Sequence, residues 1–542
     1  MNEKSATRYV NGEPEIRAQA DGLSRGATEI EHDGVIYEQF DMVFFEQVEH
    51  ENGKGGGMPI RVTQSRRVKG IRSLMAGAVG ALVVVAGCTV RQPSDPVMPP
   101  SIEVPDTWVS QSEVRAQDLP AGWLADFGDP RLEAIVAEAL ENNQDLQTAA
   151  AQLEVARQAA IKAGAGLYPF ISAGAGGSSE GGFDGGDTTT TSGVSLDVVW
   201  EVDLWGRIRA GKAAGLADYE AAGSQYAFAR LSLAAQTAKA WFLAVESKLQ
   251  VRLAEENIAL FERNLSLAQS RYNAGLTSEL DIHLARFQLA NGEEFLRQTR
   301  AAYEQSVRSL EVLLGRYPDA EMELAAELAA VPPPVAAGIP AEILEQRPDL
   351  VAAERQVAAA FYTIQVAQAA RLPSLALTGS AGTASSDLRD AIGAPDPFWN
   401  LAAGLFAPIF AGGELKANVE IATSQQKAAL HQYVQVVLQA FNEVETALSN
   451  DEYLREAERF QEIAVGEIAG GLRQALIQYD VGLIDFTNIL LIQQNSVATD
   501  RQMLDLRNRR LANRINLYLS LGVDESISAD RAAAAPTGSG ER

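Results

Sequence analysis

The sequence predicts an internally duplicated α+β protein, two copies of one order of elements: helix, strand, loop, strand, very long helix, turn, helix. Three observations carry that reading. First, Tyr272-Asn273-Ala274-Gly275-Leu276 returns 207 residues later as Tyr479-Asp480-Val481-Gly482-Leu483, and self-similarity at a fixed offset marks a repeated unit. Second, each copy then runs the same distance to a Leu-Gly stop, Leu314-Gly315 and Leu521-Gly522. Upstream, Leu140, Asp145, Leu146 and Pro169 match Leu344, Asp349, Leu350 and Pro373 at an offset of 204. Third, Phe228, Leu231, Ala235, Ala238, Phe242, Val245 and Leu249 alternate spacings of three and four, and Val434, Val437, Phe441, Val444 and Leu448 repeat the stripe 206 residues on. That is the 3.5-residue period of coiled-coil packing.

From the N-terminus, residues 1–57 carry twelve acidic and five basic side chains and precede Met58. They read as a mis-called start, with a cytoplasmic extension as the alternative. Residues 58–87 read as a signal peptide. Arg61, Arg66, Arg67, Lys69 and Arg72 lead into an apolar run from Leu74 to Ala86, too short to span a bilayer and the right length for a signal core. The run ends in Val85-Ala86-Gly87-Cys88, which resembles the lipobox of bacterial lipoproteins. That resemblance makes Cys88, the sole cysteine, the lipidated first residue of the mature chain, and Thr89 behind it implies sorting to the outer membrane. An ordinary signal peptide with an incidental cysteine is the alternative. The first repeat then occupies 88–330 and the second 331–528, divided by Val331-Pro332-Pro333-Pro334-Val335, where proline blocks helix. Residues 529–542, rich in Ala, Pro and Gly, read as a disordered tail.

Within each repeat two strands precede the long helix. The first pair is expected at 168–177 and 192–202, joined by a loop with Glu180, Asp184 and Asp187; the second at 374–383 and 398–406, with Asp387, Asp390 and Asp396 between. Leu196, Val198 and Trp200 alternate with Ser195, Asp197 and Val199, and Leu375 and Leu377 with Ser374, Ala376 and Thr378. Strands of about ten residues with this dyad suit a transmembrane barrel, and a half-buried soluble hairpin equally. A membrane sheet must leave no edge facing lipid, and single-chain barrels begin at about eight strands. Four strands cannot close alone, so a membrane reading needs several chains; a trimer gives twelve. The long helix over 208–272 would measure roughly 100 Å, more than a compact domain needs.

With these features in place, the sequence resembles the TolC/OprM-type outer-membrane efflux proteins, lipoprotein branch, over essentially all of 88–525. The resemblance is carried by Trp200-Glu201-Val202-Asp203-Leu204-Trp205-Gly206-Arg207 and its counterpart Ala407-Pro408-Ile409-Phe410-Ala411-Gly412-Gly413-Glu414. Arg371-Leu372-Pro373-Ser374-Leu375 and the paired Tyr-x-x-Gly turns add to it. It implies a homotrimer in which twelve transmembrane strands close a β-barrel, continued across the periplasm by a twelve-helix α-barrel. It also implies a passive duct for small molecules, working with a periplasmic adaptor and an inner-membrane RND-type transporter. Docking would use the tip residues Tyr272, Gly275, Leu276, Tyr479, Gly482 and Leu483, although each glycine also has a local reason, since it ends a helix in the left-handed conformation. In that family the closed tip is latched by an Asp and an Arg that fall here on Leu491 and Gln494, with Thr487 one turn before Leu491. This departure predicts a constriction of apolar packing and amide hydrogen bonds, weakly dependent on salt and pH. Asp480 and Asp485 read as solvated turn carboxylates, with acidic rings about a threefold axis as the alternative.

Composition bounds the remaining classes. With 45 basic against 71 acidic side chains and a net charge of -26, nucleic acid is a poor partner. A hydrophobic fraction of 46% excludes a wholly disordered chain. One cysteine and four scattered histidines, His32, His50, His283 and His431, write no local metal site, and no cofactor is implied. The glycines at 174–186 lack the Lys-Ser/Thr of a phosphate cradle, and Glu443 with Glu445 read as a helix-surface pair. An enzyme is therefore the least favoured class. Two other readings share the architecture: the outer-membrane duct of a type I protein secretion system, and a periplasmic coiled-coil scaffold lipoprotein whose hairpins are soluble.

Overall fold

A computed structural model describes residues 104–110, 122–181, 183, 188–335, 337, 340, 343–386 and 396–523. The expectations for 1–57, the signal at 58–87, Cys88, the loop carboxylates Asp184, Asp187, Asp387 and Asp390, and the tail at 529–542 lie outside the described residues.

The first copy consists of α1 (Pro130–Asn142), α2 (Gln144–Ala165), β1 (Phe170–Glu180), β2 (Thr189–Val202), α3 (Arg207–Asn273) and α4 (Glu279–Leu313). The second follows a single turn at Ile343–Gln346 with α5 (Pro348–Ala369), β3 (Ser374–Ser385), β4 (Asp396–Phe406), α6 (Glu414–Asp480) and α7 (Phe486–Ser520). The copies agree in length: α3 and α6 have 67 residues each, and α4 and α7 have 35 each. At 1.5 Å per residue the long helices reach about 100 Å. Among the described residues no helix is long and apolar enough to cross a membrane.

The strands form one antiparallel sheet in the order β1-β2-β3-β4, with Ala173 opposite Leu196, Val199 opposite Thr378 and Leu377 opposite Ala403. They run past the ends read from the sequence. β1 continues through Gly174–Glu180 because that run pairs with Thr189–Ser195; the ladder supplies what glycine and serine lack in intrinsic preference. β4 begins at Asp396 and carries Pro397, which an edge strand tolerates because its missing N–H costs no ladder bond. β1 and β4 each leave one edge unpaired.

On the strand side α3 packs between α2 and α5, and α5 packs on α6; toward the turns the packing order is α4, α3, α7, α6. The expected seam is largely core. Leu231, Ala235, Ala238, Phe242, Val245 and Leu249 are buried, as are Val437, Val444 and Leu448, while Val434 and Phe441 pack against the same core from partly buried positions and Phe228 is half-buried. This main cluster also takes in Trp123, Phe127 and Leu132, with Trp123 stacked on Tyr518 at 5.5 Å. Trp241 Nε1 donates to Asp129 at 2.9 Å, tying α3 to the start of α1. A smaller cluster of Ala268, Ile282, Ala285, Tyr479, Phe486 and Ile489 lies near the turns.

The two return helices end on matched contacts. Asn143 Nδ2 donates to the carbonyl of Leu313 at 3.0 Å, and Arg347 Nη1 donates to the carbonyl of Ser520 at 3.1 Å; the donors are 204 apart and the acceptors 207. Glu443 and Glu445 lie partly exposed on the surface of α6, as read from the sequence, and both are engaged there. Arg347 reaches Glu443 at 2.9 Å, and Glu445 accepts the backbone N–H groups of Val109 and Ser110 at 2.8 and 3.0 Å. They hold the corner of the second copy and the N-terminal segment, whose Trp108 is buried against Phe441.

Candidate functional site

Two features recur at the ends of the long helices. At the strand end, the Trp200–Arg207 motif forms a hydrogen-bonded junction. Trp200 Nε1 donates to the carbonyl of Leu167 at 3.1 Å and Trp205 Nε1 to that of Pro373 at 2.7 Å, so the indoles tie the passage from β2 to α3 to the segments that lead from α2 into β1 and from α5 into β3. Arg207 makes a two-pronged bond to Glu201, 2.7 Å at Nη2. Gly206, at φ 77°, lets the chain turn into α3. Asp203 accepts the N–H groups of Ile208 and Arg209 at 3.0 Å and the Arg209 side chain at 3.1 Å. Burial works against its charge, but those donors outweigh it and hold the carboxyl below its ordinary range. The motif's polar groups are therefore committed to holding the strand-to-helix passage and its neighbours in place.

At the other end, α3 and α6 stop in the same way. Gly275 N–H donates to the Tyr272 carbonyl at 2.9 Å and Leu276 N–H to that of Arg271 at 2.9 Å. Gly482 bonds to Tyr479 at 3.0 Å and Leu483 to Gln478 at 2.8 Å. This crossed pair with glycine at positive φ, 74° and 79°, closes the open carbonyls of a helix end. Leu276 and Leu483 are 66% and 73% exposed, and each turn projects its leucine outward.

The two tyrosines part company. Tyr272 is exposed, whereas Tyr479 is 3% exposed, set 5.6 Å from Phe486 and 4.6 Å beneath the Arg271 guanidinium. Burial raises its phenol, Asp281 adds to the rise and Arg271 opposes it. The cause lies in the neighbours: Glu279 occupies in the first copy the place of Phe486, and Gln478 stands in the second where Arg271 stands in the first. Tyr479 is thus an inward residue, and the exposed tip is Tyr272, Leu276, Leu280, Val481 and Leu483. The sequence reading missed Leu280 and Val481; Val481 adjoins the turn glycine Gly482, and Leu280 opens the return helix in its first turn.

Asp480, Asp485, Thr487 and Leu491 are all exposed. The backbone carbonyl of Asp480 accepts Arg271 Nη1 at 3.1 Å. Gln494 donates to Gln288 of α4 at 3.1 Å, and behind it the buried Gln493 accepts from Asn264 of α3 at 2.7 Å. Gln288, Asn264 and Gln493 were not singled out by sequence. Among the described residues no group of three or more His, Cys, Asp or Glu could hold a metal.

The comparisons agree with this architecture. The profile of the outer membrane efflux protein family matches residues 135–316 and 339–523, one segment in each copy. The chain is 30% identical over 406 residues to the cation efflux system protein CusC of Escherichia coli O6:H1, covering 74% of this chain and 88% of that one. It is 29% identical to the pyoverdine export outer membrane protein OpmQ of Pseudomonas putida, with 79% and 93% covered. Among solved structures, the open state of the Neisseria gonorrhoeae MtrE outer membrane channel superposes with a TM-score of 0.70 at 29% identity, over 81% of this chain and 99% of that one. A CusC crystal structure gives 0.70 at 28% identity, over 80% and 98%. With a sheet that four strands cannot close, paired hairpins of equal length, and a family profile that matches both copies, the chain belongs to the outer membrane efflux protein family.

Proposed function

We propose that this chain is the outer-membrane duct of a tripartite pump, a trimer that does no chemistry and passes small molecules driven by an energised inner-membrane RND-type transporter. The observation that carries it is the pairing of one open four-stranded sheet with two equal α-hairpins whose turns present exposed leucines. Three copies close twelve strands and give six hairpin ends. The adaptor would meet Tyr272, Gly275, Leu276, Gly482 and Leu483, with Tyr479 supporting its turn from inside. Relatives of near-equal similarity are named for cations and for pyoverdine, which fits a lumen that selects weakly and a transporter that chooses the cargo. Cys88 would carry the lipid anchor.

Deletion of the gene should raise intracellular accumulation of a dye or metal ion that the cognate transporter handles, and the intact gene should restore it. Unchanged accumulation while that transporter is active would refute the reading. Labelled palmitate should enter the wild-type protein and not Cys88→Ala.

A further inference from the structure

Midway along the return helices, α3, α4 and α7 border a cavity of about 620 Å³, a volume that suits a drug-sized molecule. Glu246 of α3 lines it and is 9% exposed. Gln250, one turn on, donates through Nε2 to Glu246 at 2.7 Å and to the backbone carbonyl of Arg501 at 3.2 Å. Those two acceptors fix which way the amide faces, and its buried Oε1 is left without a partner. Asp505 of α7 adds a second carboxylate at an exposed position. The Arg501 guanidinium lies 4.1 Å from the centre of the Phe295 ring of α4, and Ala302 and Ala498 extend the apolar wall.

This lining holds more acceptor than donor. A buried carbonyl oxygen without a donor is costly, and so is a buried carboxylate whose charge is not met. Burial raises the Glu246 carboxyl; Gln250 opposes, the Asp505 charge adds and Arg501 opposes. Stability alone would favour an amide or an apolar side chain at this position. The repeat does not require the acid either, since 207 residues on the counterparts of Glu246 and Gln250 are Tyr453 and Ala457. Unmet acceptors beside an apolar wall fit a ligand that brings N–H donors and positive charge on an apolar frame. A metal ion fits less well, because among the described residues no group of three or more His, Cys, Asp or Glu could hold one.

The cavity also has a side. Lys248 donates to the Leu324 carbonyl at 3.1 Å, and Leu249 and Arg252 border residues 327–331. At about 3.6 residues per turn, Glu246 and Gln250 fall on the other face of α3, away from that connecting segment.

We propose that this cavity binds organic cations, with Glu246, Gln250 Oε1 and Asp505 receiving the charged N–H groups and Phe295, Ala302 and Ala498 the apolar frame. Its placement on the inner wall rests on the reading of the chain as a duct, because connecting segments inside a tube would obstruct it.

The probe is rhodamine 6G, a cation with two N–H groups on an aromatic frame, followed by fluorescence polarisation on the purified full-length protein, so that no transporter is needed. Binding should saturate. Glu246→Gln should weaken it about tenfold, the scale of a hydrogen bond to a charged group, with a melting temperature unchanged or raised. A carboxylate with only a structural role would lose stability along with affinity. Asp505→Asn, at the exposed mouth, should weaken binding severalfold without altering melting, and it still decides should Glu246→Gln fail to assemble. Fluorescein, an anion of similar frame, should not compete. No saturable binding, equal affinity in wild type and both variants, or competition by fluorescein would overturn the cation site and leave the duct reading intact. Saturable binding that both variants weaken, in a protein whose deletion leaves cellular accumulation unchanged, would overturn the duct and the inner-wall placement while sustaining the site.

Discussion

At Asp203 one carboxylate holds the start of a 67-residue helix, satisfying two of its free N–H groups. Its folded-state pKa is lowered, burial notwithstanding, by backbone and side-chain donors. Its contribution is therefore present above the unfolded value of about 3.9 and lost as pH falls through the folded value. Asp203→Asn should cost about 1 kcal/mol at neutral pH, the typical worth of a helix N-terminal acceptor, and should flatten the acid side of the stability profile measured by thermal unfolding. Glu246 has the opposite sign. Burial raises its carboxyl first; the Gln250 hydrogen bond opposes, the Asp505 charge adds and Arg501 opposes. Ionising it in the folded chain is unfavourable, so stability declines as pH rises from the unfolded toward the folded value. Glu246→Gln should raise the melting temperature near pH 7.5 and leave it unchanged near pH 4. Both environments escaped the sequence reading: the donors to Asp203 converge only because the chain turns at Gly206, and the Asp505 and Arg501 charges reach Glu246 from α7, and periodicity discloses neither.

The elements were more legible than their ends. Both long helices, both return helices and the four strands could be read from period and offset, because a stripe repeated over 20 residues outweighs local noise. The ends of β1 and β4 could not, since Gly, Ser and Pro acquire strand geometry there from cross-strand pairing. Nor could the inward turn of Tyr479, which depends on Phe486 one loop away. Substitutions test the elements directly. A methyl added at Gly193 or Gly382 would lie 2.2 Å from a carbonyl oxygen of the facing strand, Thr383 or Val194. Gly382→Ala should therefore cost about 1–3 kcal/mol, the range for forcing atoms into filled space, seen as a lower melting temperature of the assembled protein. Gly275→Ala and Gly482→Ala should each cost about 1–2 kcal/mol for the left-handed backbone alone.

The whole molecule is incomplete as a single chain. Edges β1 and β4 are unpaired, and Trp399, Leu401, Leu405 and Phe406 on β4 are exposed, an arrangement that lipid does not tolerate unless the sheet closes. Light scattering of detergent-extracted protein should give about three chain masses, because three copies of the four-stranded sheet supply the twelve strands that close it. A monomer in detergent would contradict it.

The equality of the two hairpins constrains which length changes the chain can accept. Seven residues added to α3, balanced by seven in α4, would lower one turn by about 10 Å at 1.5 Å per residue and leave its sibling behind. The end surface of the assembly would become a staircase with alternate steps. The same heptads added to α6 and α7 as well would restore a level rim on a longer tube. Insertions here should therefore survive selection for export only in matched sets of four, so that the two copies, free to diverge in nearly every side chain, remain bound to one another in length.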